Sequence, residues 1–485
     1  MAKAGGGERL SRCAAALAAL LLCAVTAASC APAGSPPPPV GSGEPPASRA
    51  AAFPKDPPGC RRTLVGVAHP DDDLFFVNPE IERTVRAGCA LTTVYLTAGD
   101  DGERNPLEAR NYARNRANGV RKAYAEMAGA ADRWTPADVV TGGRVVQSFT
   151  LAGRKPGAEV RLTFMRLHDG MPKGGQKDSM LRLFTGDRRE ISLFQRGEGY
   201  DEKELLTTLT SLIRLSGARR VLTLDHDNAS FAFGLDGRVD HADHGIGARY
   251  LRKAAYRAGV EPRAYLAYTM TPLAVNLTPS QQAAKERIAR WYDAERQCPR
   301  ERVCVDESLY TKPLPHDHAA WVLRQYEQRH RDPRPGEIMG DIGRTTAFTG
   351  RNPEQCLGVR GSAPPSWSVG IAGCDGTGAQ RWGFGGDGSI RPRAHGAYCL
   401  TAVRTGVLLL RCEASRADQK WRRLPWPDGS WKRSAWRIAG TGDRCLHQED
   451  RTFPRWNQDR YRSPRPGLTP CGTVPDPELY WRIGG

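Results

Sequence analysis

The feature that most constrains the fold of this 485-residue chain is a threefold repeat near its C-terminal end. Each unit contains a Cys-Leu pair, then a second cysteine, and then a tryptophan. The units are Cys356-Leu357, Cys374 and Gln380/Trp382; Cys399-Leu400, Cys412 and Gln419/Trp421; and Cys445-Leu446, Cys471 and Trp481. Internal repeats outrank local propensity as evidence for a fold, and helical periodicity is lost from about Thr345 onward. We therefore predict an all-β domain over residues 345–485.

These repeats resemble the ricin-type β-trefoil lectins, in which three such units close around a pseudo-threefold core. The resemblance implies sugar binding but does not identify the residues that bind. We interpret the tryptophans as structural, because a buried indole supplies a large apolar area. The third unit differs from the pattern, with Leu479 in place of glutamine and an insertion at 451–465, which implies a lost or altered third sugar site.

The N-terminal 30 residues have the layout of an export signal. Lys3, Arg9 and Arg12 precede an apolar run over residues 13–28 that ends just before Cys30. The sequence around Cys30 resembles a bacterial lipoprotein signal, although Ala27 stands where leucine is usual. Lipidation of Cys30 and simple secretion are therefore both open, and either gives an extracellular protein that meets a membrane only through that anchor.

The middle of the chain is predicted to be a Rossmann-like α/β domain. A Pro-rich linker covers residues 31–57, and a break at 331–336 (RDPRPG) ends the domain, which we place at 58–335. Apolar runs at 63–68, 90–98, 221–224 and 264–268 read as strands, and 78–88, 108–127, 205–215 and 281–297 as helices. Strands and helices in alternation predict a mainly parallel sheet.

The cysteine count also favours export. Three of the 13 cysteines belong to the signal or its end, which leaves an even number for disulfides. We predict pairing in sequence order, as Cys60–Cys89, Cys298–Cys304, Cys356–Cys374, Cys399–Cys412 and Cys445–Cys471. None of them has the paired CxxC spacing of a thiolate zinc site.

The formal charge of +17 is compatible with anionic partners such as a cell-wall polymer. The basic residues are, however, spread along the chain, and no nucleic-acid-binding motif is present. We interpret the charge as a solvated surface with a weak bias toward polyanions, and we expect no nucleic-acid partner.

Two polar motifs follow predicted strands and carry the chemistry. The sequence HPDDD at 69–73 follows the first strand, where ligands bind in open α/β sheets, and DHADH at 240–244 follows the strand at 221–224. Imidazole and carboxylate together suit zinc, and a catalytic zinc site needs three protein ligands and an open position. A helix cap, a calcium site and surface histidines are the alternatives for either motif alone. A similar segment, Asp225-His226-Asp227, is given a supporting or surface role.

The two motifs resemble those of the PIG-L, or LmbE-like, N-acetylglucosaminyl deacetylases over roughly residues 60–330. Carried over by position, the resemblance implies Zn²⁺ on His69, Asp72 and His244, with Asp71 as general base. It implies that His241 stabilises the oxyanion or protonates the departing amine.

Three further aspartates receive supporting roles from the same resemblance. Asp243 would orient a neighbouring histidine, Asp73 stands where the family usually has glutamate, and Asp100 is a candidate for contact with the sugar. The family's usual Arg/Glu helix pattern has no unique position within residues 110–121, so we name no substrate-binding arginine.

The combined expectation is an exported, zinc-dependent de-N-acetylase acting on an N-acetylglucosamine-type carbohydrate. The trefoil would hold the enzyme near glycan, cell-wall glycan included. Two other functions are open, namely a zinc amidase for another N-acyl conjugate and a non-catalytic carbohydrate-binding protein.

Overall fold

The computed structural model of the chain describes residues 56–102, 105–195, 197–227, 240–298, 311–340, 354–361, 367–404, 406–425, 435–448, 466–472 and 476–485. The predicted export signal with Cys30, nearly all of the predicted linker and the insertion at 451–465 lie outside these ranges. Among the helices that the described ranges contain, none combines the length and the apolar character needed to cross a membrane.

An α/β region comes first in the chain. Its elements are, in order, β1 (Thr63–Val67), α1 (Glu80–Arg86), β2 (Leu91–Thr97), α2 (Pro106–Ala128), β3 (Trp134–Pro136), β4 (Val139–Thr141), β5 (Arg144–Leu151), β6 (Val160–Leu167), α3 (Met180–Thr185), β7 (Glu190–Ser192), β8 (Gly199–Asp201), α4 (Glu202–Leu215), β9 (Arg220–Leu224), α5 (Ala242–Arg257), β10 (Pro262–Tyr265), α6 (Pro279–Arg296) and α7 (His316–Trp321).

The main sheet of this region is mostly parallel. Its order is β10-β9-β1-β2-β6-β5-β3, with β4 beside β5. The five strands from β10 to β6 run parallel, and β5 and β3 form an antiparallel edge. The chain leaves β1 in one direction through β2 and returns on the other side as β9, so a crevice opens beyond the ends of β1 and β9. The predicted α/β class is confirmed.

Apolar side chains cover both faces of this sheet. In β1, Val65 and Val67 belong to a core with residues of α2 and α6, while Leu64 faces a second core with residues of α3, α4 and α5. A parallel sheet covered on both faces requires strands that are apolar throughout, and β1 is buried at every position.

The C-terminal region is built from short antiparallel strands. They are β11 (Ile338–Gly340), β12 (Gln355–Arg360), β13 (Ser368–Gly373), β14 (Trp382–Phe384), β15 (Ile390–Pro392), β16 (Tyr398–Val403), β17 (Gly406–Arg411), β18 (Arg422–Leu424), β19 (Ala435–Ala439), β20 (Arg444–Gln448), β21 (Pro466–Pro470) and β22 (Tyr480–Ile483). β11 lies between the two predicted domain ranges and pairs with β12 and β22, so it is part of this second sheet.

The three repeats make equivalent contacts, which confirms the structural role of the tryptophans and the trefoil prediction. The indole nitrogen of Trp382 donates to Leu357 O at 2.8 Å, that of Trp421 to Leu400 O at 2.8 Å, and that of Trp481 to Leu446 O at 3.0 Å. In each repeat the tryptophan side chain is therefore hydrogen-bonded to the backbone carbonyl of the leucine that follows the first cysteine.

Four of the five predicted disulfides are present. They are Cys60–Cys89, Cys356–Cys374, Cys399–Cys412 and Cys445–Cys471. The fifth prediction, Cys298–Cys304, includes a residue outside the described ranges. Each repeat of the trefoil thus closes a covalent loop of its own, which constrains its unfolded state.

Helix α2 packs closely against α6 at Gly119. A Cβ atom there would lie 2.8 Å from the backbone oxygen of Tyr292 and 2.8 Å from its ring. Glycine in a helix interior costs about 1 kcal/mol relative to alanine. The close approach explains why glycine is nevertheless suited to this position.

Replacing Gly119 tests this packing. We expect Gly119→Ala to destabilise the protein by about 1–3 kcal/mol, because overpacking at Tyr292 outweighs the gain in helix propensity. The thermal unfolding midpoint should fall by roughly 2–8 °C. The exposed residue Arg114 of the same helix provides the control, since Arg114→Ala should change stability by less than about 0.5 kcal/mol. A Gly119→Ala protein as stable as the parent would contradict the argument.

Candidate active site

The motif after β1 forms a tight turn that places its side chains at the crevice. The Asp72 carboxylate accepts from the backbone N–H of His69 at 2.7 Å. This bond holds the two side chains on the same side of the turn, and both are buried. The His69 Nδ1 atom lies 3.4 Å from Asp72 Oδ2.

The motif after β9 lies at the start of α5, a helix that the sequence analysis did not predict. His241 is its N-cap residue, and its Nδ1 accepts from the backbone N–H of Asp243 at 3.1 Å. Asp240 accepts from the backbone of His241 at 2.8 Å and lies 2.6 Å from His244 Nδ1. One helical turn therefore fixes both imidazoles, and the Nε2 atom of His244 faces the β1 motif.

The three predicted ligands come together as a buried group. His69 Nδ1 lies 3.2 Å from His244 Nε2, and Asp72 Oδ1 lies 3.1 Å from the same nitrogen. Ligands bonded to Zn²⁺ at 2.0–2.1 Å in a tetrahedron are about 3.3–3.4 Å apart. The donor separations of 3.1–3.4 Å, and the two-histidine, one-carboxylate chemistry, therefore fit this ion.

Each of the two histidines also has a carboxylate at its other ring nitrogen. Asp240 meets His244 Nδ1, and Asp169 Oδ2 and Asp243 Oδ2 each lie 3.4 Å from His69 Nε2. Carboxylates in this position fix the tautomer of a ligating histidine and increase its basicity. The arrangement around the ligands thus also fits a metal site.

The surrounding charges set the ionisation of this group. Burial alone would raise the pKa of the Asp72 carboxyl, but the charges of His244 and His69 hold the pKa well below its usual value. Burial and the neighbouring His69 lower the pKa of His241 well below its usual value. The His241 ring is therefore neutral near pH 7, and because its Nδ1 accepts a hydrogen bond, the proton is on Nε2.

Asp71 lies at the same crevice and is held by two helices. Arg116 of α2 donates to its Oδ1 at 2.6 Å, and the Tyr292 hydroxyl of α6 donates to its Oδ2 at 2.7 Å. Arg116 also donates to Tyr292 at 3.0 Å and to the backbone oxygen of Gly99. The carboxylate is thus fixed in position while each oxygen keeps a further lone pair.

The other predicted aspartates are placed as follows. Asp73 turns away from the group into the core, where it accepts from Tyr95 and Tyr124 at 3.0 and 2.6 Å, and burial raises its pKa to about 7. Asp100 accepts from the backbone N–H of Asp169 at 2.8 Å. Asp243 accepts from the backbone of Gly170 and faces His69, as a residue that orients a histidine would.

A cavity of about 350 Å³ opens over the site, within the usual range of small-molecule pockets. Its polar lining includes Asp71, Asp169 and His241. Its aromatic lining includes Tyr268 and Trp321, which are stacked at 4.9 Å, with Phe76 beside them. A cavity lined by both polar and aromatic side chains can hold a sugar ring, which has hydroxyl edges and an apolar face.

Sequence reasoning missed several residues of this site. Asp169 follows β6 just as His69 follows β1, and Tyr268 follows β10, so the same strand-end argument could have found both. Arg116, Tyr292 and Trp321 lie on helices, and no local signal distinguishes them from core or surface residues. The segment at 225–227, treated as supporting, brings His226 and Asp227 together with His330 in a separate group.

Family models match two parts of the chain. Residues 64–255 match the GlcNAc-PI de-N-acetylase (PIG-L) model, and residues 344–450 match the ricin-type beta-trefoil lectin domain model. The two matches follow the order that the motifs predicted, with the PIG-L model before the lectin model. No curated protein matches the chain.

Solved structures with low similarity include two deacetylases and a lectin. The zinc-inhibited form of teicoplanin deacetylase is 13% identical over 48% of this chain and 84% of that chain, with a TM-score of 0.28. The A40926 pseudoaglycone deacetylase is 14% identical over 49% and 82%, with a TM-score of 0.28. The Vibrio vulnificus hemolysin/cytolysin lectin, with N-acetyl-D-lactosamine bound, is 19% identical over 27% and 87%, with a TM-score of 0.19. These values carry no information on the substrate of this chain.

Removing the carboxylate behind His244 tests the metal site. We expect Asp240→Asn to weaken Zn²⁺ binding by about 10- to 100-fold, because the amide cannot support the imidazole as the carboxylate does. Dialysis against a zinc buffer followed by metal analysis measures the affinity. His330→Ala, in the separate group, is the control and should leave this affinity unchanged. Equal zinc affinity in Asp240→Asn and the parent would argue against His244 as a ligand.

Proposed function

We propose that the protein is an exported, zinc-dependent de-N-acetylase of N-acetylglucosamine-type glycoconjugates. The observation that carries the proposal is the buried group of His69, Asp72 and His244 at the base of a cavity that Asp71 and His241 also line. The description of the matched family supports the sugar and the amide bond. We assign the reaction to residues 58–335 and glycan binding to residues 345–485.

In this proposal His69, Asp72 and His244 hold Zn²⁺. The ion would supply Lewis acidity, which lowers the pKa of a water molecule toward 7 and polarises an amide carbonyl. An amide needs both effects, since it is inert at neutral pH.

Asp71 would take the proton from the attacking water. The bonds from Arg116 and Tyr292 hold the carboxylate still, so that orientation is fixed before the reaction begins. Each oxygen retains a lone pair for the proton. When the C–N bond breaks, the same proton can pass to the departing amine, which leaves acetate and a free amino sugar.

His241 would stabilise the negative charge on the carbonyl oxygen. The ring proton of His241 is on Nε2, which lies 3.7 Å from Asp169 Oδ1. Both residues line the cavity. A neutral N–H aimed at a developing oxyanion lowers the barrier without adding a charge. The backbone bond to its Nδ1 keeps this tautomer in place.

The disulfides support an extracellular location. Four are present in the described residues, and such bonds persist mainly in oxidising compartments. Together with the signal-like N-terminus, they suggest secretion, or a lipid anchor on Cys30. We propose a glycan of the cell surface, such as cell-wall glycan, as the partner of the trefoil.

The direct test is acetate release from N-acetylglucosamine oligosaccharides by the zinc-loaded protein. Asp71→Asn should lower the rate about 10²- to 10⁴-fold, because the amide cannot accept the proton. Asp187→Asn makes the same charge change at an exposed position and should retain full activity. If none of these sugars released acetate while longer N-acyl conjugates were cleaved, the acetyl group would be wrong and the substrate would be another amide.

A second variant tests how Asp71 is held. Tyr292→Phe removes one hydrogen bond to the carboxylate, and we expect kcat to fall about tenfold, since a hydrogen bond to a charged group is worth about 1.5–3 kcal/mol. KM should stay within about twofold, because Tyr292 positions the base and is not part of the cavity lining. A raised KM with unchanged kcat would show instead that the residue shapes substrate binding.

A further inference from the structure

A second large cavity lies apart from the active site. Its volume is about 1220 Å³, above the roughly 300–1,000 Å³ of most small-molecule pockets. Its lining includes the segments that lead into β1, β9 and β10, whereas the active site lies beyond the other ends of β1 and β9. The described residues that line the two cavities do not overlap. The cavity is therefore a separate candidate for binding, and we call it the basic groove because of its charge.

The lining of the basic groove carries an excess of positive charge. Among the described residues it contains eight arginines and three glutamates, together with two histidines. The same residues include no Phe, Tyr or Trp, in contrast to the active-site cavity. A cleft lined mainly by one sign of charge concentrates ions of the opposite sign. The groove is therefore suited to a ligand that is held by its negative charges and not by stacking or apolar contact.

The glutamates leave much of this positive charge uncompensated. Glu327 accepts two hydrogen bonds from Arg263, at 2.7 and 2.8 Å, and one from Arg329 at 3.4 Å. Glu80 is likewise shared by two arginines of the groove. Within the described part of the chain, Arg61 is exposed and has no carboxylate partner. Exposed ion pairs are weak, so an incoming anion can share these guanidinium groups.

The shape of the groove selects among anionic ligands. A single phosphate or carboxylate group would fill little of the cavity, and the flat surface of a bilayer would reach only its rim. A flexible chain with a charge on successive units can enter it and meet several arginines at once, which raises the affinity without any strong single contact. Guanidinium groups pair with carboxylate and with phosphate in the same two-pronged geometry. The cavity therefore fits an acidic polymer.

We propose that the basic groove binds an acidic polysaccharide through the carboxylate or phosphate groups of successive sugar units. The choice of a polysaccharide rests on the proposed function, in which the partner of the protein is a glycan. The groove itself does not rest on it, because none of the described residues of the groove belongs to the proposed zinc site or is the proposed base. The groove would hold a charged glycan chain at a place separate from the reaction.

Direct binding to three polymers tests the proposal. Polygalacturonate carries carboxylates, phosphomannan carries phosphates, and mannan is the neutral counterpart of phosphomannan. We expect at least one acidic polymer to bind roughly tenfold or more tightly than mannan, and we expect added salt to weaken that binding because it screens the charges. The acidic polymer that binds more tightly identifies the recognised group as carboxylate or phosphate. If neither binds more tightly than mannan, the proposal is wrong.

Charge reversal locates the binding site. Arg61 and Arg329 line the groove and are exposed, so their replacement leaves the core intact. The double variant Arg61→Glu, Arg329→Glu should bind the acidic polymer at least about tenfold more weakly. The double variant Arg133→Glu, Arg189→Glu makes the same charge change at exposed positions outside the groove, and it should lose less than about threefold. Equal losses in the two proteins would show an effect of net charge alone and would overturn the groove as the site.

Further measurements separate this proposal from its alternatives. The milder variant Arg61→Gln, Arg329→Gln should show an intermediate loss of affinity, which a misfolded protein would not show. Vesicles of phosphatidylglycerol test a lipid surface. If the Glu variant lost vesicle binding but kept polysaccharide binding, the groove would belong to a membrane and the proposal would be overturned. Because binding is measured without hydrolysis, an inactive protein that binds the acidic polymer would refute the proposed de-N-acetylase but not the groove.

Discussion

The structure of the site depends on how much negative charge is buried at the edge of the main sheet. Asp72, Asp169, Asp240 and Asp243 all lie within the protein, and each faces an imidazole at 2.6–3.4 Å. Carboxylates are rarely buried unless paired. The strand-end loops and the start of α5 therefore have to meet, because each brings charges that only the others, or a metal, can compensate.

Helix α5 connects this site to the trefoil. It begins at the two histidines and extends for 16 residues, roughly 24 Å, and near its C-terminal end Lys253 donates to Glu478 of the third repeat. Glu478 also lies 2.7 Å from His447, and Tyr256 of α5 packs against Tyr480. Charge pairing and apolar packing together hold one continuous helix between the metal-binding histidines and the third repeat.

Local sequence patterns predicted those parts of the fold that are determined by residues close to one another in the sequence. The strands at 63–68 and 90–98 were predicted to within about two residues because their apolar runs are continuous. The helix at 108–127 was predicted equally well because it is rich in alanine and arginine and Gly119 is its only helix breaker. α5 was missed because Gly245 and Gly247 weaken its helical signal. Gly247 is suited to its position by a tertiary contact, since a Cβ there would lie 2.7 Å from Leu96. Arg116 and Tyr292 were missed because their role also depends on a tertiary contact. Only the packing of α2 on α6 brings their side chains to Asp71.

The third repeat shows how a departure from a pattern can have a physical cause. In the first two repeats Gln380 and Gln419 donate to backbone oxygens of Gly373 and Arg411, and Leu479 cannot make such a bond. Leu479 instead belongs to an apolar cluster that includes Tyr256 of α5 and the disulfide cysteines of its own repeat. A side chain buried against another domain gains from being apolar, which accounts for leucine here. The part of the third repeat that carries Glu478, Leu479 and Tyr480 therefore contacts α5 of the α/β domain.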